Sequence, residues 1–251
     1  MKTDGSPDCP ADETELEQCN AYIIGQIQAM GKPSAYGLPS PGPAITISYQ
    51  SGSGEHEIAR RLAAILQSSE VDQAVPWTVF DRQLVEKMLA EHHLPDSLAR
   101  LMPEERRSYI RDVVEELLGL RPPSWVLVPE VTETILHLVN AGHVILVGRG
   151  GAFITARMPN VFHVRLIGSL PKRIARVQEL NHVTPEEAGK FVAGSDRGRG
   201  RYAKAHFHVR VDDDLLYHLA VNTDCVPPPE AAELIADGAR RRFQIGTGGK
   251  K

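Results

Sequence analysis

Apolar residues along this chain fall into two alternating rhythms: short β-branched runs and longer stretches with a single apolar face. Ala44 to Ser48 reads AITIS and predicts a strand. The Gly-rich turn Gln50 to Gly54 follows, and then Glu57 to Gln67, whose Ile58, Leu62 and Ile65 share a helical face. Trp77 to Phe80 predicts a second strand, after which Asp81 can cap a helix carrying Leu84, Val85, Met88 and Leu89. A helix-rich excursion comes next, over Pro103 to Leu118 and Pro129 to Asn140, with Gly142 as the stop. His143 to Val147 (HVILV) is a buried-strand run. Its turn, Gly148-Arg149-Gly150-Gly151, leads into Ala152 to Arg157. Val161 to Ile167 predicts a strand and Leu170 to Leu180 a helix. Thr184-Pro185-Glu186-Glu187 is a capping-box start for a helix running toward Asp196. Leu219 to Val221 and Pro229 to Phe243 are the last strand and helix.

Strands separated by helical segments imply crossovers, hence a parallel sheet with helices on both faces. Ligands of such sheets bind at the carboxyl ends of the strands. The loop after Ser48, Asp81 after Phe80, and Arg149 after Val147 are thereby placed along one rim. The expected organisation is an amino-terminal helix (Asp12 to Met30) and Pro/Gly-rich linker over 1–43, a main α/β domain over 44–224, and a carboxyl-terminal helix with a Gly-rich tail over 225–251.

Composition narrows the function classes. The chain has 251 residues, 42% hydrophobic and 24% charged, which suits a packed enzyme-sized fold. Lys+Arg 28 against Asp+Glu 32 gives a formal charge of -4, so no global positive field favours nucleic acid or an anionic membrane. Apolar runs are far shorter than a bilayer span and the first residues do not read as a signal peptide, so a cytoplasmic protein is expected. Cys9, Cys19 and Cys225 have no spacing for a disulfide framework or zinc site and are read as reduced thiols.

Three segments carry candidate chemistry. Gly52-Ser53-Gly54, between strand and helix, can cradle a phosphate with backbone N–H groups. The Walker pattern is not met there: Tyr49 stands at the first glycine, Glu55 at the lysine and His56 at the Ser or Thr. The structural alternative is a plain turn with Glu55 and Glu57 on the helix dipole. In the second segment, Asp196-Arg197-Gly198-Arg199-Gly200-Arg201, Arg197 and Arg201 share a face wherever the chain is helical and can grip phosphate oxygens. A solvated basic face is the alternative. The third, Gly148-Arg149-Gly150, puts a guanidinium on the rim, where it could equally cap carbonyls. Asp81-Arg82 ends the second strand, with a helix cap as one role for Asp81. His206 and His208 alternate as on a strand and offer no metal spacing.

Taken in order, ITIS-YQ-SGSG-EHEIARRLA, FDRQL, LVGRGG, and SDRGRGRY followed by LYHLAVNT resemble the cytidylate kinase-like family of P-loop nucleotide kinases, over roughly Ala44 to Thr223. The resemblance implies a three-layer P-loop kinase fold with a parallel central sheet, helices on both faces and a helical lid. It implies ATP and Mg²⁺, small-molecule nucleotides as partners, and transfer of a phosphoryl group to a nucleoside monophosphate such as CMP or dCMP. By position, ATP phosphates fall on Ser51, Gly52, Ser53, Gly54, Glu55, His56 and Glu57. The monophosphate falls on Asp81, Arg82 and Arg149, and the catalytic arginines are Arg149, Arg197 and Arg201. In the family's own loop, where a glycine follows the lysine, the Mg²⁺-holding hydroxyl comes one position later, at Glu57. Gly150 departs from the aspartate of the G-R-D motif in true cytidylate kinases, and Glu55 reverses the charge of the loop lysine. The sequence therefore supports two nucleotide readings, an active kinase and a regulatory binding protein without turnover. A third reading is a scaffold that uses the helix Asp12 to Met30 and binds no nucleotide.

Overall fold

The computed structural model describes residues 21–22, 24–26, 41–69, 75–81, 127–148 and 150–245. Arg82, Arg149, and the helices expected after Asp81 and over Pro103 to Leu118 lie outside the described residues. The strands are β1 (Ala44–Tyr49), β2 (Thr78–Phe80), β3 (Val144–Val147), β4 (Val161–Ile167) and β5 (Leu219–Asn222). They form one sheet in the order β2-β3-β1-β4-β5, and every pairing is parallel. β1 is central, with Ile47 level with Val147 of β3 on one side and Val164 of β4 on the other.

Strands covered on both faces need apolar residues at successive positions, which is why β1, β3 and β4 read as continuous runs. The pleat then divides each run between two cores. Ala44, Val144 and Leu146 face one layer with Phe80, Ile135, Leu138 and Met158, where α2 (Leu127–Ala141) and Tyr22 of the amino-terminal helix pack. Ile45, Ile47, Ile145 and Val147 face the other with Ile58, Leu62 and Leu66 of α1 (Glu55–Ser69) and Ile235 of α6 (Pro228–Phe243). In α6, Ala231, Ala232, Ala236 and Ala239 are fully buried, so the last helix is part of this core. The arrangement is α/β in three layers, the P-loop kinase fold.

Three helices follow the sheet's carboxyl edge: α3 (Gly151–Ile154), α4 (Leu170–Asn181) and α5 (Pro185–Phe207). α3 is shorter than the expected Ala152 to Arg157. α5 opens on the expected capping box, with Thr184 and Glu187 bonded reciprocally and Pro185 in the first turn. It continues well past Asp196, through Gly198 and Gly200. Packing outweighs glycine's poor helix propensity, since Val192 and Ala203 are fully buried and Phe207 lies against Phe153. The strand-like reading of His206 and His208 is corrected accordingly. His206 lies inside α5, and His208 closes it in the left-handed conformation, φ 55°.

Candidate functional site

The connections from β1 and β3 leave for opposite sides of the sheet, so the crevice between their carboxyl ends is the switch point where such folds bind ligands. Residues 50–54 leave β1 at that end of the sheet. Gln50 ties the loop to β4: its N–H donates to the Leu166 carbonyl at 3.0 Å, and its side-chain oxygen accepts from Gly168 N–H at 3.0 Å. Ser53 N–H donates back to Gln50 O, and Ile58 N–H to Gly54 O starts α1. Gly52 and Gly54 sit at φ 79° and 87°, where a side chain is strained. At Gly52 there is also no room, because a Cβ would lie 2.5 Å from the Arg173 carbonyl oxygen.

The first N–H groups of α1 have no intrahelical acceptor and carry the positive end of its dipole. Just before them, the Ser53 hydroxyl is fully buried and, among the described residues, has no hydrogen-bond partner.

Arginines from α4 and α5 surround this loop. Arg173 is 6% exposed; its Nε donates to Gly168 O at 2.9 Å, and its Nη1 to Ser51 O at 3.0 Å and to Asp196 Oδ2 at 2.7 Å. Arg176 donates to Gly52 O at 2.7 Å. Arg199 donates to Ser51 Oγ at 2.5 Å and Asp196 Oδ1 at 2.6 Å, and its guanidinium lies over the Tyr49 ring, 4.4 Å from the centroid. Ser51 N–H completes the set by donating to Asp196 Oδ1 at 2.9 Å. The Asp196 carboxylate thus receives three donors, and all three polar groups of Ser51 are engaged.

Of the residues expected to bind ATP phosphates, Ser51, Gly52, Ser53 and Gly54 form the loop itself, and Glu55, His56 and Glu57 are the first turn of α1. Glu55 is half-buried. The Glu57 carboxylate is held on the exposed face by Arg61 at 2.9 Å. His56 meets Asp81 at the end of β2, with Nδ1 3.9 Å from Oδ2, so two of the expected positions converge on the rim. Arg197 and Arg201 do not join the loop. They line an open groove of about 610 Å³ with Gly194, Gly200 and Lys204. That stripe lies across α5 from buried Val192 and Ala203.

Residue-by-residue reading missed Arg173, Arg176 and Arg199 at the loop. For Arg199 a signal existed: Asp196 and Arg199 are three apart on a helix and pair as such neighbours do. Arg173 and Arg176 had none, because a basic residue early in a surface helix usually meets solvent. Among the described residues, no group of three or more His, Cys, Asp or Glu is placed to hold a metal, and no helix is long and apolar enough to cross a membrane.

A family model described as the cytidylate kinase-like family matches residues 44–225. No curated protein matches in sequence. Among solved structures, an uncharacterized protein from Eubacterium ventriosum ATCC 27560 superposes with a TM-score of 0.50 at 16% identity, covering 79% of this chain and 98% of its own. A gluconokinase from Sinorhizobium meliloti 1021 gives 0.42 at 15% identity, over 82% of this chain and 96% of its own. A shikimate kinase from Bacteroides thetaiotaomicron gives 0.37 at 13% identity, over 81% and 99%.

Proposed function

Since the chain belongs to the cytidylate kinase-like family, we propose that it transfers the γ-phosphoryl group of ATP to a nucleoside monophosphate, with CMP or dCMP as the expected acceptor. The observation that carries this reading is the cradle at the end of β1. Two glycines at positive φ, the amino end of α1 and an unpartnered buried Ser53 hydroxyl suit a chain of phosphate oxygens. Phosphoryl transfer depends on positioning and on neutralising charge spread over those oxygens. In this reading Arg173, Arg176 and Arg199 supply the positive charge that the loop lacks at Glu55.

By the family resemblance, the monophosphate falls to Asp81, Arg82 and Arg149. Arg197 and Arg201 lie on the other side of α5 from Arg199, so a contact of theirs with the transferring group would take the place of Arg199's contact with Ser51. Mg²⁺ would arrive with the nucleotide and add neutralising charge. With Glu57 engaged by Arg61, the described residues present no ready cage for it, and no step here depends on one.

Glu55 favours a second reading, a nucleotide-binding regulatory protein without turnover, because a carboxylate at that position repels phosphate. Purified protein with ATP, Mg²⁺ and each nucleoside monophosphate, assayed for diphosphate formation, separates the two. The kinase reading expects product with CMP or dCMP. Binding of ATP without product with any monophosphate selects the regulatory protein. If no nucleotide raises the melting temperature at saturation, both fail, since a ligand of the native state must stabilise it.

A further inference from the structure

The donors around Asp196 are built as an anion site, and the anion they hold belongs to the protein. Arg173 is almost wholly buried and Ser51 is 2% exposed, so this is no solvated surface pair. Burying a guanidinium is costly unless it is matched, and the Asp196 carboxylate matches it. That carboxylate takes one loop N–H and two guanidinium groups, at 2.9, 2.7 and 2.6 Å. A phosphate oxygen of a nucleotide would seek the same three donors.

We propose that Asp196 is an internal latch: its carboxylate stands in for phosphate in the resting protein, holds α5 on the loop, and is displaced when a polyphosphate binds. This rests on the reading of residues 51–54 as a phosphate site. On displacement, Arg173 and Arg199 exchange one anion for another, so their charges stay paired. The latch involves the face of α5 bearing Asp196 and Arg199, which lies across the helix from the Arg197 and Arg201 groove. Binding would thereby unlatch Asp196 without leaving either arginine unpaired.

Inorganic tripolyphosphate is the probe, because it carries the phosphate chemistry without a base or sugar. Calorimetry on the full chain should show Asp196→Asn binding it about tenfold or more tightly than the unmodified protein, because a neutral amide competes less well for the same donors. If the unmodified protein binds and Asp196→Asn binds equally or more weakly, Asp196 merely orients the arginines and the latch is wrong. If neither binds, the phosphate-loop reading falls and the latch with it.

A second measurement does not depend on the variant folding. In the unmodified chain, the ¹³C resonance of the Asp196 carboxylate should move as tripolyphosphate saturates the protein. Binding with that resonance unmoved overturns the proposal.

Discussion

In the proposed reading, Glu55 sets how strongly the loop can hold phosphate. It opens α1, where a carboxylate stabilises the helix dipole by about 0.3–1 kcal/mol, yet in the proposed reading it stands where phosphate oxygens would bind. A cation at this place would gain a charge-assisted hydrogen bond, typically about 1.5–3 kcal/mol, which exceeds the dipole loss. Glu55→Lys should therefore bind ATP about tenfold or more tightly at a small cost in stability. Unchanged affinity in calorimetry, with the fold intact, would mean that position 55 does not face the phosphates.

A second residue sets the acid limit of the fold. His163 on β4 is buried, with Nδ1 2.8 Å from the Thr46 hydroxyl, and it stacks on His218. Burial, with the nearby His218 and Arg242, lowers its pKa from 6.5 to about 4. The unfolded chain takes up a proton below pH 6.5 that the folded chain refuses, so stability is lost as pH falls from 6.5 toward 4. About 1.36 kcal/mol per unit puts this loss at ~3 kcal/mol. Burial also lowers His137 and His218, which adds in the same direction. Urea unfolding at a series of pH values checks this, and His163→Gln should flatten the slope between pH 6.5 and 4.

At the scale of elements, α5 is the unit whose extent sequence reasoning misjudged. Gly198 and Gly200 each weaken a helix, and the pattern carried this one only toward Asp196. The helix instead runs to Phe207, because Val192 and Ala203 anchor it to the body and Asp196 and Arg199 fasten its middle to the loop. A Cβ at Gly198 or Gly200 would meet nothing within 4 Å. Gly200→Ala should then stabilise the helix by about 0.8–1 kcal/mol, a rise in melting temperature of roughly 2–4 °C. If catalysis needs α5 to flex, the same change should lower kcat while raising the melting temperature. No thermal gain would mean that Gly200 is not in a relaxed helical conformation.

Over the whole molecule, the two ends of the sheet do different work. The carboxyl ends of the strands carry the loop and its arginines. The amino ends are tied by the helical residues 21–22 and 24–26. There the Tyr22 hydroxyl donates to Gly142 O at 2.7 Å, and Gln26 donates to Ala141 O and Gly142 O at 3.1 and 3.0 Å. The Tyr22 ring meets Phe80 edge-on in the core. Tyr22→Phe removes two buried hydrogen bonds, one donated to Gly142 O and one accepted from Gln26, and should cost about 1–3 kcal/mol. Tyr22→Ala also empties an aromatic site and should cost about 3–5 kcal/mol. Neither should alter ATP affinity, because this helix docks at the end of the sheet opposite the loop. A loss of affinity at unchanged stability in either variant would contradict that separation.

The alternation of β-branched runs with one-faced helices determined the α/β class and its parallel sheet, because each element's periodicity is a local property that only one environment satisfies. The position of the loop was legible for the same reason: glycines at 52 and 54 between a strand run and a helical face leave the chain no other course. The capping box at Thr184 was equally plain, since its two bonds join residues three apart. Which arginines serve the loop was not local. Arg173 and Arg176 reach Ser51 and Gly52 from more than a hundred positions away, and Arg199 rather than Arg201 faces Ser51 because burial of Val192 and Ala203 sets the rotation of α5. Helical spacing could say that Arg197 and Arg201 share a face. Only the packing of α5 against the body determines where that face points.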